Sequence, residues 1–419
     1  MGTYLRYWVQ MIRCAFSGTG LYYAWMAALT LVVIAGGYAL SLQLDEGLVV
    51  TNMSDQVSWG AYIANFTYLV GIAAAAVILV VPTYVFHHKD LKEVVLIAEL
   101  MAASAMIMCL LFVTVDLGHP ERFLHLAPGI GRLNFPRSIL AWDVIVLQVY
   151  LLINLHVPGY LLYKKYLGSE PTRTYYLPLV FLSILWAVSI HTVTAFLYSG
   201  FGGRPFWNSA ILAPRFLVSA FASGPSLLII VFAAVKRFGG FPVKDSVFEY
   251  LRKVVMVAIP ANFFLLGCEV FKDFYTDSTH VASMEYLFFG LYGHARLVPY
   301  IWTGLALNLT ALIVFATPRL RQRRLRLAIG AFLCVVGVWV EKGMGLIVPG
   351  FLPTPMGDLV EYTPSAIEIG VCMGIWALGA ALFTVMAKVA IAIMRGDLRA
   401  ASSAAPRLSA AEEADVSLA

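Results

Sequence analysis

The sequence predicts an all-α polytopic membrane protein with ten transmembrane helices. Hydrophobic residues make up 60% of the 419 residues, whereas charged residues make up 13%, about half of their usual share in soluble domains. The mean hydropathy is +0.81. Ten apolar stretches are long enough to cross about 30 Å of hydrocarbon. These observations exclude a water-soluble globular protein.

The ten predicted spans follow one another along the chain. Prolines such as Pro178, Pro225 and Pro260 interrupt several of them, and membrane helices tolerate proline because neighbouring groups satisfy the freed backbone. No small-residue cleavage site follows the first span, so we expect it to be retained rather than removed as a signal peptide. We predict spans at 21–44, 59–83, 92–115, 139–162, 176–200, 208–235, 254–271, 292–316, 327–348 and 365–393.

The distribution of lysine and arginine predicts the orientation. We assign 21 of the 29 to connections on the side of the two termini. Since connections rich in Lys and Arg stay in the cytoplasm, both termini are predicted to be cytoplasmic, in a multi-pass protein of the inner (cytoplasmic) membrane. The lipid bilayer accounts for the net charge of +5, and we expect no nucleic-acid partner. The six assigned to the opposite side are Arg122, Arg132, Arg137, Arg204, Lys272 and Lys342.

The composition divides the chain into one membrane domain and a short tail. Residues 1–395 contain all ten predicted spans. From about Gly396 the sequence becomes polar and rich in Ala and Ser, which is typical of a segment that cannot bury enough apolar surface to fold. We therefore expect residues 396–419 to be a disordered cytoplasmic tail.

Several kinds of redox and hydrolytic site have no support in the sequence. The five cysteines are scattered singly, with no pair at metal-ligand spacing, so we expect neither an iron–sulfur cluster nor another metal site. Only His191 and His294 come near the depth that haem ligands need, and we expect no haem. Neither a phosphate-binding Gly-rich loop nor an HExxH pair is present, which argues against nucleotide hydrolysis and zinc proteolysis.

The ionisable residues inside the predicted spans lie at similar depth. Such groups are costly in a membrane and generally line a functional pathway or pair with one another. Glu99, near the cytoplasmic end of helix three, is the exception. Those assigned to the outer part are Asp116, Asp143, His191, Arg215, Glu269, His294, Arg296, Glu341 and Glu368. Apolar sequence on both sides favours a functional role for Asp143, His191, Arg215 and Glu341. Position at the membrane surface explains Glu269, His294, Arg296 and Glu368 equally well.

A weak internal repeat is compatible with the same positions. Helices two to five would map onto helices six to nine, as in a parallel duplication of a four-helix unit. The polar residues that correspond, 150 to 153 positions apart, are Asn65 with Arg215, Asp116 with Glu269, Asp143 with Arg296, and His191 with Glu341. A duplication of this kind would surround one outer cavity with polar groups from both halves.

Three segments carry a family resemblance. They are WGAYIANFTYLVGIAAAAV (Trp59 to Val77), DLGHPERF (Asp116 to Phe123) and EKGMGLIVPGFLPTPMGDLVEYTPSAIE (Glu341 to Glu368). These segments resemble the NrfD/PsrC family of quinone-interacting membrane subunits. The resemblance covers the ten predicted helices and excludes the tail. Within the family, the ten-helix layout is most similar to the DsrP branch, from the DsrMKJOP complex of sulfur metabolism.

The resemblance implies an architecture, a cofactor and a partner. It implies two four-helix bundles, which leaves two peripheral helices, and a pocket for menaquinone or ubiquinone towards the outer face. It also implies a periplasmic iron–sulfur (ferredoxin-like) subunit as electron partner, within a larger membrane redox complex. The chain itself would hold neither haem nor an iron–sulfur cluster.

Quinone chemistry moves two electrons and two protons, so such a pocket needs donors for carbonyl oxygens and a base for hydroxyl protons. The segment from Asp116 to His125 would form its rim; alternatively it is an ordinary polar loop in which Pro120 stops the helix. The predicted catalytic residues are Asp116, His119, Asp143 and His191. The predicted quinone-binding residues are Asn65, Arg122, Trp142, Arg215, Glu269 and Glu341.

The function implied is that of a quinone-binding subunit of a respiratory electron-transfer complex, in dissimilatory sulfur metabolism. We expect the redox partner to bind at residues 116–138 and 341–364. Glu99 is expected either to connect the outer site with the cytoplasm or to make a structural hydrogen bond. Two other functions stay open: a secondary transporter or proton channel, which the repeat and Glu99 favour, and a passive anchor for partner subunits.

Overall fold

A computed structural model describes residues 2–126, 129–277 and 281–400, and the chain is all-α. Ten of its helices are long and apolar enough to cross a membrane, as predicted. They are α1 (Gly20–Glu46), α2 (Ala61–Val85), α3 (Val95–Asp116), α4 (Ile139–Tyr166), α5 (Arg173–Ser199), α6 (Leu212–Phe238), α7 (Asp245–Thr276), α8 (Val298–Ala316), α9 (Arg324–Phe351) and α10 (Ala366–Arg395).

The long helices form two bundles and one peripheral pair. Helices α2–α5 pack together as the first bundle, and α6–α9 pack together as the second bundle. Helices α1 and α10 pack against each other, and α10 also packs against α3. This arrangement confirms the predicted two four-helix bundles with two peripheral helices. The end of the bundles that carries the connections after α1, α3, α5, α7 and α9 is called the outer end. The start of α1 and the end of α10 lie at the opposite end.

The peripheral pair is held by a close approach of two backbones. A Cβ atom added to Gly36 of α1 would lie 2.5 Å from the Cα atom of Gly374 of α10. Only residues without a side chain permit this distance. Membrane helices commonly use small residues in this way because van der Waals packing, rather than the hydrophobic effect, drives their association.

Helix α2 is the central element of the molecule. All residues from Ala61 to Ala74 are buried, because α2 packs against α3 and α5 of its own bundle and against α6 and α9 of the second bundle. At the crossing with α6, a Cβ atom added to Gly224 would lie 2.1 Å from Cβ of Ala75. The two bundles therefore meet along α2 without intervening lipid.

The helix boundaries differ from the prediction where charged residues or turns are involved. Helix α8 begins at Val298 rather than at residue 292, because Gly290, Tyr292 and Gly293 have left-handed backbone conformations that end regular helix. His294 and Arg296 accordingly lie in the connection before α8. Helix α7 spans Asp245–Thr276 rather than 254–271, since its ends are polar and fall outside the apolar window.

Among the described residues, two further α-helices of eight or more residues were not predicted. Gly2–Phe16 is an amphipathic helix before α1, and Val281–Phe288 lies in the connection between α7 and α8. Of the predicted tail, residues 401–419 lie outside the described residues. Before them, Gly396 ends α10 in a left-handed conformation, and the N–H of Ala400 donates to the carbonyl oxygen of Tyr166 at 2.9 Å.

Candidate functional site

A buried acid and a buried histidine lie towards the outer end of the first bundle. Asp143 is in the second turn of α4, and its Oδ1 accepts a hydrogen bond of 2.7 Å from Thr194 Oγ1 of α5. His191 lies one turn before Thr194 on α5. Asp143, His191 and Thr194 are 2%, 1% and 0% exposed. Together they form the acid–histidine group, which α4 and α5 close off from bulk water.

The hydrogen bonding of His191 indicates which ring nitrogen of the neutral imidazole carries the proton. Nδ1 lies 3.0 Å from the carbonyl oxygen of Ala187, and a carbonyl oxygen only accepts, so Nδ1 donates. Nε2 is then the acceptor, and it has no hydrogen-bond partner among the described residues. Because a buried polar atom without a partner is costly, this nitrogen is suited to accept a hydrogen bond from a hydroxyl group that enters the bundle.

An arginine of the second bundle joins carboxylates from two other helices. Arg215 of α6 donates through Nη1 to Oε2 of Glu269 on α7, and through Nη2 to Oε1 of Glu341 on α9 at 3.1 Å. The Arg215 side chain is only 11% exposed, and the Glu341 side chain 2%. Removing charges from water is favourable only when they are paired and hydrogen-bonded, and here each charge has a partner.

Two asparagines complete the surroundings of Glu341. Asn262 Nδ2 of α7 lies 2.9 Å from both carboxylate oxygens, and Asn308 Nδ2 of α8 donates to Oε2 at 3.2 Å. Arg215, Glu269, Glu341 and these two residues form the carboxylate cluster. Its members come from all four helices of the second bundle, so the cluster fixes how these helices pack.

A π-helical turn from Val340 to Met344 carries both Glu341 and its neighbour Lys342. Consecutive residues on a helix point in different directions, and here Glu341 faces the second bundle whereas Lys342 faces α2 and α6. Lys342 Nζ donates to the carbonyl oxygen of Phe216 at 3.3 Å and lies 4.3 Å from the centroid of the Phe216 ring. Such π-helical turns frequently occur at functional sites.

The position of Lys342 corrects the sequence interpretation. It was assigned to the outer connections, but it lies within α9 and is only 5% exposed. Its ammonium group packs against α2 so closely that a Cβ atom added to Gly71 would lie 3.1 Å from Nζ. Residue 342 already lay inside the predicted span 327–348, but the charge count grouped Lys342 with the outer connections because it is within two turns of the predicted end of that span.

A small cavity lies between the carboxylate cluster and Lys342. Its volume is about 10 Å³, which corresponds to roughly one water molecule. The polar side chains in its wall could each hydrogen-bond to such a water. The lining residues are Leu212, Arg215, Phe216, Ser219, Glu341, Lys342 and Leu346.

Lys342 also connects the two polar groups electrostatically. Its charge acts on Arg215 and Glu341 on one side and on Cys109 and His191 of the first bundle on the other. The acid–histidine group and the carboxylate cluster are therefore parts of one polar region. This region spans the interface between the bundles and is buried from bulk water.

Comparison with known proteins defines the family of this chain. A sequence model described as polysulphide reductase, NrfD, matches residues 49–352, which cover α2 to α9 completely. The chain belongs to the NrfD family.

Three relatives match most of the NrfD-family chain. A putative dimethyl sulfoxide reductase membrane subunit from Halobacterium salinarum is 26% identical over 85% of this chain and 88% of its own. A selenate reductase subunit from Mesobacillus selenatarsenatis is 24% identical, over 86% and 92%. An Hdr-like menaquinol oxidoreductase integral membrane subunit from Archaeoglobus fulgidus is 26% identical, over 88% and 93%. The chain is thus a multi-pass membrane protein whose relatives are named as subunits of reductases or oxidoreductases.

The NrfD-family chain brings together only part of the predicted site. Asp143 and His191 share the acid–histidine group. Asp116, the last residue of α3, has a buried Oδ1 without a hydrogen-bond partner among the described residues. His119 lies in the exposed turn that follows, where its Nδ1 is 2.9 Å from Glu121 and its side chain is 63% exposed. Arg122 in the same turn is also exposed, so neither contacts the buried groups.

The remaining predicted binding residues have other partners. Arg215, Glu269 and Glu341 belong to the carboxylate cluster of the second bundle. Asn65 Oδ1 accepts hydrogen bonds from the indole N–H groups of Trp339 and Trp376 at 3.0 and 2.9 Å. Trp142 is 39% exposed, and its Nε1 donates to the carbonyl oxygen of Pro136 at 2.9 Å. Asn65 therefore ties α2 to α9 and α10, and Trp142 lies at the outer surface.

Sequence reasoning missed four polar residues of this region. Thr194, Asn262 and Asn308 are single polar residues inside apolar spans, a signal that was available but was used only for Asn65. Lys342 was recognised as charged but was assigned to the wrong environment. Polar side chains in membrane helices commonly hydrogen-bond across helices, so all such residues were candidates for the interior.

Glu99 lies at the opposite end of the first bundle, as predicted. It is 4% exposed, and its Oε2 has no hydrogen-bond partner among the described residues. The carboxyl lies within electrostatic range of the hydroxyl groups of Tyr84 and Tyr150. Tyr150 is two turns from Asp143 on α4. Tyr150 therefore lies between Asp143 and Glu99 along the first bundle, with its hydroxyl group donating to the carbonyl oxygen of Ala73.

Proposed function

We propose that this NrfD-family chain is the quinone-reactive membrane subunit of an oxidoreductase complex. The observation that carries the proposal is the buried Nε2 of His191, an acceptor without a partner among the described residues, one turn from the Thr194 that bonds Asp143. The family supports it, since the relative from Archaeoglobus fulgidus is named as a menaquinol oxidoreductase subunit. Menaquinone is accordingly the species that we propose.

The residues of the acid–histidine group suit the binding and deprotonation of a hydroxyl group. When bound, a quinol supplies two electrons and two protons. His191 Nε2 accepts a hydroxyl proton, because its ring is held by the bond from Nδ1 to Ala187. Asp143, oriented by Thr194, stabilises the imidazolium that results.

The test is photolabelling of the assembled complex with an azido derivative of menaquinone. We expect label on α4 and α5 around Asp143 and His191, and we expect excess unmodified quinone to compete with it. The labelled peptides can be identified by mass spectrometry. Label found only near Glu99, at the opposite end of the first bundle, would contradict the placement of the site.

We propose an extracytoplasmic iron–sulfur subunit as the electron partner, bound at the outer end. The exposed outer connections support this proposal. In the second predicted contact segment, 341–364, residues 341–351 are helical and buried, so residues 352–364 are the part left to contact a partner. Zero-length carbodiimide crosslinking is expected to join the partner through Glu121, whose side chain is 67% exposed, and Asp358. Asp245, 81% exposed at the opposite end, is the internal control. Partner crosslinks at Asp245 alone would reverse the orientation.

We further propose that Glu99 passes protons between the acid–histidine group and the cytoplasm. This role is supported by its Oε2, which has no partner among the described residues, and by the position of Tyr150 between Glu99 and Asp143. In proteoliposomes that contain the complex, Glu99→Gln is expected to reduce quinone-coupled proton uptake by about tenfold or more, because Gln keeps the size and hydrogen bonds but cannot titrate. Glu170→Gln, an exposed position at the same end, is the matched control.

An unchanged proton uptake in Glu99→Gln would mean that Glu99 has a structural role. The outer site would then exchange protons only with the outside.

A proton channel is the second candidate function, since the same buried acid favours it. Proton flux in vesicles without any quinone would support the channel and exclude a strictly redox-coupled route.

The sulfur-metabolism assignment is part of the same proposal. It is supported by the family description as a polysulphide reductase and by the relative named as a dimethyl sulfoxide reductase subunit. The inner membrane, with both termini in the cytoplasm, is the proposed location. The excess of Lys and Arg in the connections at the end of the termini supports that orientation.

A further inference from the structure

A second cavity lies at the end of the molecule that carries the termini, far from the polar region. Its volume is about 550 Å³. One wall is a face of the helix Gly2–Phe16, and the other is the end of α10 with the residues that follow it. The side chains that matter here are Gln10, Arg13, Cys14, Asp397 and Arg399.

The charges around this cavity favour an anion. Arg13 and Arg399 line it, and neither guanidinium has a hydrogen bond or ion pair with another described residue. Asp397, the acid in the wall, is already paired with Arg395 at 3.4 Å. Lys388 lies beside the cavity, where it acts electrostatically on Cys14. Guanidinium groups bind phosphate well, because their planar array of donors matches its oxygens.

The helix Gly2–Phe16 has the properties of a helix in the membrane interface. Leu5, Trp8, Ile12 and Phe16 are 66%, 45%, 55% and 79% exposed and recur at helical spacing, so they form one apolar face. Tyr7, on another face, is buried against the protein. Amphipathic helices with such an apolar face lie at the level of the lipid headgroups. The mouth of the cavity is therefore at the depth of the headgroup phosphates.

One polar atom of the cavity lacks a partner. The Oε1 atom of Gln10 is buried and has no hydrogen-bond partner among the described residues. Because the amide oxygen only accepts, a suitable ligand has a donor group near its phosphate. Phosphatidylglycerol, with hydroxyl groups in its headgroup, meets both requirements.

We infer that this cavity binds the headgroup of an anionic glycerophospholipid, with the phosphate between Arg13 and Arg399 and a headgroup hydroxyl donating to Gln10. Basic pockets beside membrane helices commonly bind anionic lipids. The bound lipid joins the N-terminal helix to α10.

Alkylation of Cys14 can report whether the cavity is occupied. Full-length protein is placed in nanodiscs of phosphatidylcholine, with or without phosphatidylglycerol, and treated with a maleimide. Since burial raises the pKa of the Cys14 thiol, the reaction is run at alkaline pH. We expect phosphatidylglycerol to slow the alkylation of Cys14 by about tenfold and to leave Cys268, a partly exposed thiol of α7, unchanged. Equal rates in both lipids would overturn the inference.

Paired variants separate a specific site from the general effect of a negative surface. Arg13→Gln/Arg399→Gln is expected to abolish the protection. Arg6→Gln/Arg173→Gln removes two charges from the same end without altering the cavity lining, and this variant is expected to keep the protection of Cys14. Protection that survives in Arg13→Gln/Arg399→Gln would mean that the negative surface potential alone slows the alkylation of Cys14. That result would contradict the inference. Equal protection by soluble glycerol 3-phosphate would assign the cavity to a soluble phosphate ester instead. The lipid comparison on the unaltered chain remains decisive if the first variant does not fold.

Discussion

Replacing His191 with glutamine is expected to reduce quinone turnover of the assembled complex by about a hundredfold or more. The Nε2 atom of His191 is the proposed proton acceptor, and a glutamine amide cannot take up the proton at any accessible pH. Assembly is expected to continue, because glutamine can still donate within the α5 turn. The measurement is the initial rate of menaquinol oxidation or menaquinone reduction by complex reconstituted in proteoliposomes.

His156→Gln is the matched control for this prediction. His156 is an exposed histidine of α4 that lies 2.8 Å from Tyr175, and its replacement is expected to leave turnover unchanged. The pH profile adds a second readout, since loss of a titrating base removes the corresponding limb of the profile. Full turnover in His191→Gln with an unaltered profile would exclude His191 as the acceptor and move the site elsewhere in the first bundle.

Replacing Arg215 with methionine is expected to destabilise the chain by about 3–5 kcal/mol. Glu269 and Glu341 would then remain buried without the cation that both contact. Lys342 cannot take its place, because its ammonium group is directed at Phe216. The measurement is the thermal unfolding midpoint of the purified protein in detergent, together with the amount of folded protein recovered from membranes.

A compensating variant tests the cause of that loss. Arg215→Met combined with Glu269→Gln and Glu341→Gln removes all three charges and is expected to recover much of the stability, because no unpaired charge is left in the cluster. Arg137→Met, at an exposed outer position, serves as the control with little effect. Equal instability in the triple variant would mean that lost packing, rather than unpaired charge, explains the single substitution.

Hydropathy predicted the architecture well because membrane insertion depends on continuous apolar length. All ten predicted spans are present. The errors in their predicted bounds arise because apolar length, rather than backbone conformation, was the criterion. Helix α7 is longer than predicted, since its polar ends fall outside the apolar window. Helix α8 is shorter, since the turn around Tyr292 is apolar in composition although its backbone is not helical.

The depth of the polar residues in the membrane was predicted from the sequence, but the pairs that they form were not. Asp143 and His191 were identified because an isolated ionisable residue within an apolar span is costly unless it has a function or a partner. The three-way contact of Arg215 with Glu269 and Glu341 depends on how α6, α7 and α9 pack, which local sequence does not determine. The inward direction of Lys342 likewise depends on the π-helical turn of α9.

The complete burial of α2 has a consequence for how the chain is made. Helix α2 is synthesised well before α9 and α10, yet the tryptophans that satisfy Asn65 belong to these two later helices. Until then the amide of Asn65 is without these partners in a nascent, incompletely enclosed helix, where an unsatisfied polar group is costly. Biogenesis of this protein must therefore shelter α2, through the insertion machinery or transient helix contacts, until α9 and α10 have been synthesised.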